Sequence, residues 1–124
     1  MAEIVVGVCR GVGGARQVER YRRLAGALGA GLAATRAVVD LGWLEYARQV
    51  GQTGITIAPK LYLAFGISGS AQHMAGLAES TYIIAVNKDE NAPIFTAADE
   101  RVRADCGEVA DALLKQLGGG ASSS

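Results

Sequence analysis

The only histidine of the chain closes residues 66–73, a stretch in which Ser68 and Ser70 alternate with glycine. Small residues of this kind at the start of a helix leave backbone N–H groups free to bind an anion such as a phosphate. A histidine one turn further on would offer a hydrogen-bond donor to the same ligand. Because Met74 and Leu77 follow closely, a histidine packed in the core is the alternative interpretation.

A second polar stretch, residues 49–54, combines two amides, one hydroxyl and two glycines. Glycine lets the backbone approach a bound group closely, and amides can hydrogen-bond the edge of a planar polar ligand. The stretch therefore indicates a binding loop, with an ordinary surface loop as the alternative.

Glycine also dominates the turn at residues 11–16, which begins like the Gly-x-Gly-x-x-Gly fingerprint of dinucleotide-binding proteins. Arg16 replaces the third glycine of that pattern. Arg36 could meet the 2′-phosphate of NADP, so an NAD(P)-binding enzyme domain is one interpretation. A tight turn between a strand and a helix, without any ligand, is the other.

Short apolar runs alternate with helical patterns along the chain. Strands are predicted at residues 4–9, 31–36, 61–65, 82–87 and 94–98. Helices are predicted at residues 16–28, at a short segment that carries His73, and after Asp105, where Glu108 completes a capping box. This alternation is typical of an α/β fold, here a three-layer, doubly wound parallel sheet. Residues 1–117 are predicted to form one domain, followed by a flexible Gly/Ser tail at residues 118–124.

Polar side chains follow the predicted strands at one edge of this sheet, where α/β proteins bind their ligands. They are Arg36 after the second strand, Ser68 and Ser70 after the third, Asn87, Lys88 and Asp89 after the fourth, and Asp99 and Asp105 after the fifth. The edge therefore predicts a ligand site. The same residues could instead form the interface of an assembly module that holds no cofactor.

Composition and charge argue against several classes of function. The 124 residues carry no formal net charge at pH 7, which disfavours nucleic acid and anionic membranes as partners. The apolar runs are too short to span a bilayer, and no secretory leader pattern opens the chain. Two distant cysteines and a single histidine disfavour a metal site. We expect buried, reduced thiols, no metal and a cytoplasmic location.

Five sequence blocks, in order, resemble the carboxyl-terminal FAD-binding domain of the electron transfer flavoprotein alpha subunit. They are Thr-Arg-Ala-Val-Val-Asp at residues 35–40, Gln-Val-Gly-Gln-Thr-Gly at 49–54, Ala-Pro-Lys-Leu-Tyr at 58–62, Gly-Ile-Ser-Gly-Ser-Ala-Gln-His at 66–73, and Asn-Lys-Asp followed by Ala-Pro-Ile-Phe at 87–95. The resemblance runs from about residue 9 to residue 117. It implies a Rossmann-like, DHS-like NAD/FAD-binding fold, FAD as the cofactor, and electron transport without bond-making chemistry by the chain itself.

The resemblance also implies how residues are arranged around the flavin ring. Arg36 would lie at the isoalloxazine, Thr53 within reach of its N5 atom, and His73 near a pyrimidine carbonyl. Reduction places negative charge on the N1 to O2 edge of the flavin, so a cation or donor there favours the reduced forms.

The other end of the cofactor would be held by residues that follow later strands. Ser68 and Asn87 would bind the pyrophosphate. Asp105 and the turn at residues 10–11 would bind adenosine, although Asp105 could act only as a helix cap. The implied FAD-binding residues are Arg10, Gly11, Thr35, Arg36, Gln49, Gln52, Thr53, Gly54, Ser68, Gly69, Gln72, His73, Asn87 and Asp105.

The family works within a larger assembly. The resemblance implies two partners, an amino-terminal alpha-subunit domain and a beta subunit, and electron exchange through the complex between flavoprotein dehydrogenases and a quinone reductase or similar acceptor. Without these partners the domain could associate with itself. Ile55 departs from the family, in which a lysine commonly follows the Thr-Gly of this loop, so one positive charge near the flavin is missing.

Overall fold

The computed structural model describes residues 3–44, 48, 50, 57–67, 74 and 76–117. Its strands are β1 (Ile4–Val8), β2 (Gly31–Ala34), β3 (Leu61–Phe65), β4 (Tyr82–Asn87) and β5 (Glu100–Arg103). They form one sheet in the order β2-β1-β3-β4-β5, and every pair of neighbours is parallel. Because the winding direction reverses between β1 and β3, the sheet is doubly wound. The predicted fold class is confirmed.

Helices connect these strands in the described part of the chain. A 3₁₀ turn (Arg10–Val12) leads into α1 (Ala15–Leu28), α2 (Arg36–Asp40) follows β2, α3 (Ile94–Ala97) precedes β5, and α4 (Cys106–Gln116) follows it. α1 ends at Gly29, whose φ of 67° lies in the left-handed region that glycine adopts readily. α4 begins where the Asp105 carboxylate accepts a hydrogen bond from the Glu108 N–H at 3.0 Å, as the capping box predicts.

Two apolar cores cover the two faces of the sheet, because successive strand residues point to opposite sides. The first core joins strand residues to α1 and α4 and includes Val6, Val8, Phe65, Tyr21, Leu24, Ala110 and Leu114. The second joins the alternate strand residues to α3 and includes Val5, Tyr62, Ala64, Ile83, Ala85, Ile94 and Phe95. Cores on both faces give the three-layer arrangement that the sequence predicts.

The outer strands of the sheet are protected in different ways. On the open side of β2, the Arg48 guanidinium donates to the Leu32 carbonyl at 3.1 Å. The Val50 N–H donates to the Ala34 carbonyl at 2.9 Å on the same side. β5 instead exposes charged side chains, which oppose pairing with another chain.

The prediction of a strand at residues 94–98 is wrong. These residues begin with α3, in which Ile94 and Phe95 are both buried. Pro93 has φ of −56° and ψ of −27°, which are helical values, and proline suits the start of a helix. The apolar run therefore reflects a short buried helix rather than a strand. The true fifth strand is the charged segment Glu100–Arg103.

Asp99 consequently lies before the fifth strand and not after it, so its predicted place at the ligand edge is wrong. Its carboxylate accepts a hydrogen bond from the Ile83 N–H at 2.8 Å, at the amino-terminal end of β4. β2 is also shorter than predicted, because it ends at Ala34 and Arg36 already belongs to α2.

The cysteines differ in their surroundings. Cys106 is buried as predicted, whereas Cys9 is only partly buried, and both are free thiols. Among the described residues, no helix is long and apolar enough to cross a membrane. The cytoplasmic location and the domain boundary at residue 117 stay predictions, since residues 118–124 lie outside the described part.

Candidate functional site

The carboxyl ends of the strands carry a row of polar side chains and glycines along one edge of the sheet. In spatial order from β2 to β5, the row contains Thr35, Arg36, Gly11, Gly66, Asn87 and Asp105. Parallel strands lie about 4.8 Å apart, so the row extends over about 19 Å. An elongated ligand that lay along this edge would meet all of these residues.

Thr35 joins β2 to α2 and is almost completely buried, with 7 % of its surface exposed. Its N–H donates to the Val8 carbonyl, and its own carbonyl accepts from the N–H groups of Val38 and Val39. Its hydroxyl has no hydrogen-bond partner among the described residues. A buried hydroxyl without a partner costs free energy, so a ligand that supplies one gains affinity there.

Arg36 opens α2 next to Thr35 and exposes 68 % of its side chain. Its Nε lies 3.5 Å from Asp40 Oδ2, one helical turn further on. An exposed pair with this spacing contributes only about 0.3–0.5 kcal/mol. The guanidinium is therefore free to turn towards a ligand at the end of β2.

Asn87 ends β4, and its side chain joins two loops of the edge. Its Nδ2 donates to the Ile67 carbonyl at 3.2 Å, and its Oδ1 accepts from the Asp89 N–H at 2.9 Å. Ile67 directly precedes Ser68 in the chain. Asn87 thus contacts the exit of β3, where the resemblance implies a shared phosphate site.

Asp105 caps α4 with one carboxylate oxygen and turns the other towards Lys88. Its Oδ2 accepts from the Glu108 N–H, and its Oδ1 lies 4.0 Å from the Lys88 Nζ in an exposed pair. The helix-cap role is thus present, and Oδ1 remains accessible to a hydroxyl donor. Sequence reasoning missed the pair with Lys88, because it joins two loops that are distant in the chain.

Gly11 and Gly66 bring two loops into backbone contact where the winding of the sheet reverses. Gly66 has a φ of 68°, and a Cβ on it would lie 2.7 Å from the Gly11 carbonyl carbon. A Cβ on Gly11 would lie 2.6 Å from the Gly66 carbonyl oxygen, so both positions require glycine. The two glycines thus let the loops after β1 and β3 approach closely at the switch point, where doubly wound sheets bind their ligands.

Cys106, the first residue of α4, is buried beneath the same edge. Its thiol donates to the Val86 carbonyl at 3.3 Å. Burial raises the pKa of this thiol to about 11, so it stays protonated at neutral pH. Cys106 therefore does not act as a thiolate nucleophile in this fold.

The other predicted site residues lie outside the described part of the chain. They are Gln49, Gln52, Thr53, Gly54, Ser68, Gly69, Gln72 and His73, together with the side chain of Arg10. The described neighbours Val50 and Ile67 both lie at the carboxyl edge, bonded to the Ala34 carbonyl and to the Asn87 side chain. The short helix around His73 and the roles of these residues stay predictions.

Sequence comparison links the chain to flavoproteins. Residues 1–78 match a family model described as the electron transfer flavoprotein FAD-binding domain. The chain is 51 % identical over 116 residues to the mitochondrial electron transfer flavoprotein subunit alpha of Oryza sativa subsp. japonica, covering 94 % of this chain and 32 % of the relative.

Two bacterial relatives give similar values. The chain is 50 % identical over 114 residues to electron transfer flavoprotein subunit alpha of Mycobacterium tuberculosis H37Rv, covering 92 % of this chain and 36 % of the relative. It is 48 % identical over 115 residues to Protein FixB of Clostridium saccharobutylicum, covering 93 % and 34 %. The chain thus spans about a third of the length of these relatives.

Among solved structures, the fold is similar to a chain described as a thiamin diphosphate-dependent enzyme from Mycobacterium smegmatis. The TM-score is 0.58 at 14 % identity, covering 92 % of this chain and 25 % of the other. At this identity the likeness shows the α/β fold alone.

Proposed function

Because the chain belongs to the electron transfer flavoprotein FAD-binding domain family, we propose that it binds FAD along the carboxyl edge of its sheet. The observation that carries this proposal is the spatial order of the polar groups: Thr35 and Arg36, then Asn87, then Asp105. FAD has the same order of parts, namely a flavin ring, a pyrophosphate and adenosine.

The chemistry of each described group suits the part of FAD beside it. The unpaired Thr35 hydroxyl and the Arg36 guanidinium would contact the ring end, where reduction places negative charge. The Asn87 amide carries a second N–H that can donate to a phosphate oxygen. Asp105 Oδ1, which lies 4.0 Å from Lys88 Nζ, can also accept from ribose hydroxyls. These donors and acceptors fit the cofactor.

Residues outside the described part would complete the site. Thr53 would lie near the flavin N5, His73 near a pyrimidine carbonyl, and Ser68 with Asn87 at the pyrophosphate. The remaining proposed contacts come from Arg10, Gly11, Gln49, Gln52, Gly54, Gly69 and Gln72. When bound, FAD supplies reversible uptake of electrons, while the chain binds it, orients it and sets its potential.

Within a whole protein like its relatives, the chain would carry electrons and would not act as an enzyme. The relatives from Oryza sativa and Mycobacterium tuberculosis are named as electron transfer flavoprotein alpha subunits. Because the chain spans about a third of these relatives, the proposed partners are the rest of an alpha subunit, a beta subunit, donor dehydrogenases and a quinone reductase or similar acceptor.

The variant Asp105→Asn is expected to separate the two roles of Asp105. Asparagine caps helices about as well as aspartate, so the free energy of unfolding should change by less than about 0.5 kcal/mol. FAD binding should weaken by about 1.5–3 kcal/mol, because a charged acceptor for the ribose is lost. Equilibrium dialysis measures the affinity, with FMN as the comparison ligand because it lacks adenosine. If FAD and FMN lost affinity equally, or FAD lost none, Asp105 would be a helix cap only.

The variant Thr35→Val is expected to have opposite effects on folding and on binding. Because valine removes a buried hydroxyl without a partner, the free energy of unfolding of the cofactor-free chain should rise by about 1 kcal/mol. FAD affinity should fall by about the same amount, because the ligand loses a hydrogen bond. Urea denaturation and dialysis measure the two quantities.

The matched control is Thr81→Val at the opposite edge of the sheet. Thr81 is equally buried, but its hydroxyl donates to the Pro59 carbonyl at 2.8 Å. Its loss should destabilise the chain and leave FAD affinity unchanged. A destabilised Thr35→Val chain with normal FAD affinity would contradict the placement of the ring end.

A further inference from the structure

We infer that Asn87 is a positioning residue, whose side chain holds the segment after β3 against the loop after β4 before any ligand binds. The effect of this role on FAD binding rests on the proposed function, because the chain after β3 continues into Ser68, which is proposed to bind the pyrophosphate. The role differs from direct phosphate binding, since it operates in the cofactor-free chain.

Two side-chain hydrogen bonds and one backbone hydrogen bond connect Asn87 to its neighbours. Its Nδ2 donates to the Ile67 carbonyl after β3, at 3.2 Å. Its Oδ1 accepts from the Asp89 N–H after β4, at 2.9 Å. Its backbone carbonyl accepts from the Ala104 N–H after β5, at 3.2 Å. The side chain thus connects the segment after β3 to the loop after β4, whereas any residue at position 87 would make the backbone bond to Ala104.

The backbone supports the exit of β3 from two further sides. The Gly66 N–H donates to the Val86 carbonyl at 3.0 Å, and Gly66 contacts the Gly11 backbone. Ile67 itself is buried. The Asn87 amide adds a side-chain bond to Ile67, the residue directly before Ser68. A displacement of Ile67 would therefore also displace Ser68, the proposed phosphate-binding residue.

Two substitutions separate the two side-chain bonds. Asn87→Ala removes both. Hydrogen exchange in the cofactor-free chain should then become about two- to tenfold faster at the Asp89 amide, which loses its acceptor, and at the Gly66 and Ile67 amides, because their segment loses its side-chain bond to β4. Asn87→Asp keeps the shape and the acceptor but loses the donor. Exchange should then accelerate at Gly66 and Ile67 and stay unchanged at Asp89. This nearly isosteric variant also serves if Asn87→Ala does not fold.

The matched control is Asn91→Ala, an exposed asparagine in the same loop. It should leave exchange at Gly66 and Ile67 unchanged, and the amides of β2 should be unaffected in every variant. Unchanged exchange at Gly66 and Ile67 in both Asn87 variants would overturn the positioning role. This outcome is independent of whether the chain binds FAD.

The consequence for the cofactor is tested by a double-mutant cycle with Ser68→Ala. If Asn87 acts through the segment after β3, the losses of FAD affinity from Asn87→Ala and Ser68→Ala should be non-additive, because either change disrupts the same contact. Strictly additive losses would show that Asn87 acts only through its own bond to the phosphate and would overturn this part of the inference. Failure of the unsubstituted chain to bind FAD would refute the proposed function, and the exchange data alone would then decide the role of Asn87.

Discussion

Replacing Gly66 with alanine is expected to lower the free energy of unfolding by about 2–5 kcal/mol. Its φ of 68° costs an alanine about 1–2 kcal/mol. The added Cβ would also lie 2.7 Å from the Gly11 carbonyl carbon and 2.9 Å from the Val12 nitrogen. Because both neighbours are backbone atoms, they cannot rotate away as a side chain could. Urea denaturation of the cofactor-free chain measures the loss.

Gly29→Ala is the matched control for backbone strain. Gly29 has almost the same φ, 67°, but a Cβ there would meet nothing within 4 Å. It should therefore cost only about 1–2 kcal/mol, and the difference between the two variants isolates the overlap with Gly11. Equal losses would mean that the two loops do not touch as described.

Arg36→Ala is expected to lower the two-electron reduction potential of bound FAD by about 30–65 mV. A guanidinium at the ring, as proposed for Arg36, would favour the negatively charged reduced flavin, and a charge-assisted interaction contributes about 1.5–3 kcal/mol. For two electrons, 30 mV corresponds to about 1.4 kcal/mol. Arg36→Lys should give a smaller shift, because an ammonium keeps the charge but cannot stack flat on the ring. Reductive titration against a reference dye measures the potential.

Arg22→Ala is the control for the loss of a surface arginine. Arg22 lies on α1, and its Nε forms an exposed pair with Glu19 at 3.8 Å, comparable to the pair of Arg36 with Asp40. Neither substitution should change the free energy of unfolding by more than about 0.5 kcal/mol. An unchanged potential in Arg36→Ala, with FAD still bound, would assign Arg36 to the surface and refute its placement at the ring.

Sequence patterns predict the inner part of the fold well. β3 and β4 agree with the predicted residues 61–65 and 82–87, because buried parallel strands read as continuous apolar runs. The same reasoning fails at the edge. Residues 94–98 are apolar because α3 is buried, and β5 is charged because an exposed edge strand must resist pairing. At this edge the apolar segment is a helix and the charged segment is a strand, so an apolar run predicts the wrong element.

The family and the strand ends that carry the described candidate residues were predictable from the sequence, but the contacts of these residues were not. The family resemblance is confirmed by the matching family model and by the relatives. Sequence order also puts Arg36, Asn87 and Asp105 at strand ends. The bond from Asn87 to Ile67 and the approach of Gly11 to Gly66 join segments far apart in the chain, so they appear only when the sheet is assembled.

Binding of FAD along the carboxyl edge is tested by identifying the ligand that the purified chain retains, with flavin read from the visible absorption spectrum. The chain is mixed with equal amounts of FAD and NADP, desalted, and compared with the Asp105→Asn variant treated in the same way. We expect oxidised-flavin bands to coelute with the unsubstituted chain and weaker bands with the variant. Because oxidised NADP has no visible band, it is assayed by chromatography of the ligand released from the denatured chain, and none is expected from either chain. Retention of NADP in place of FAD, or of neither ligand, would refute FAD binding by this chain.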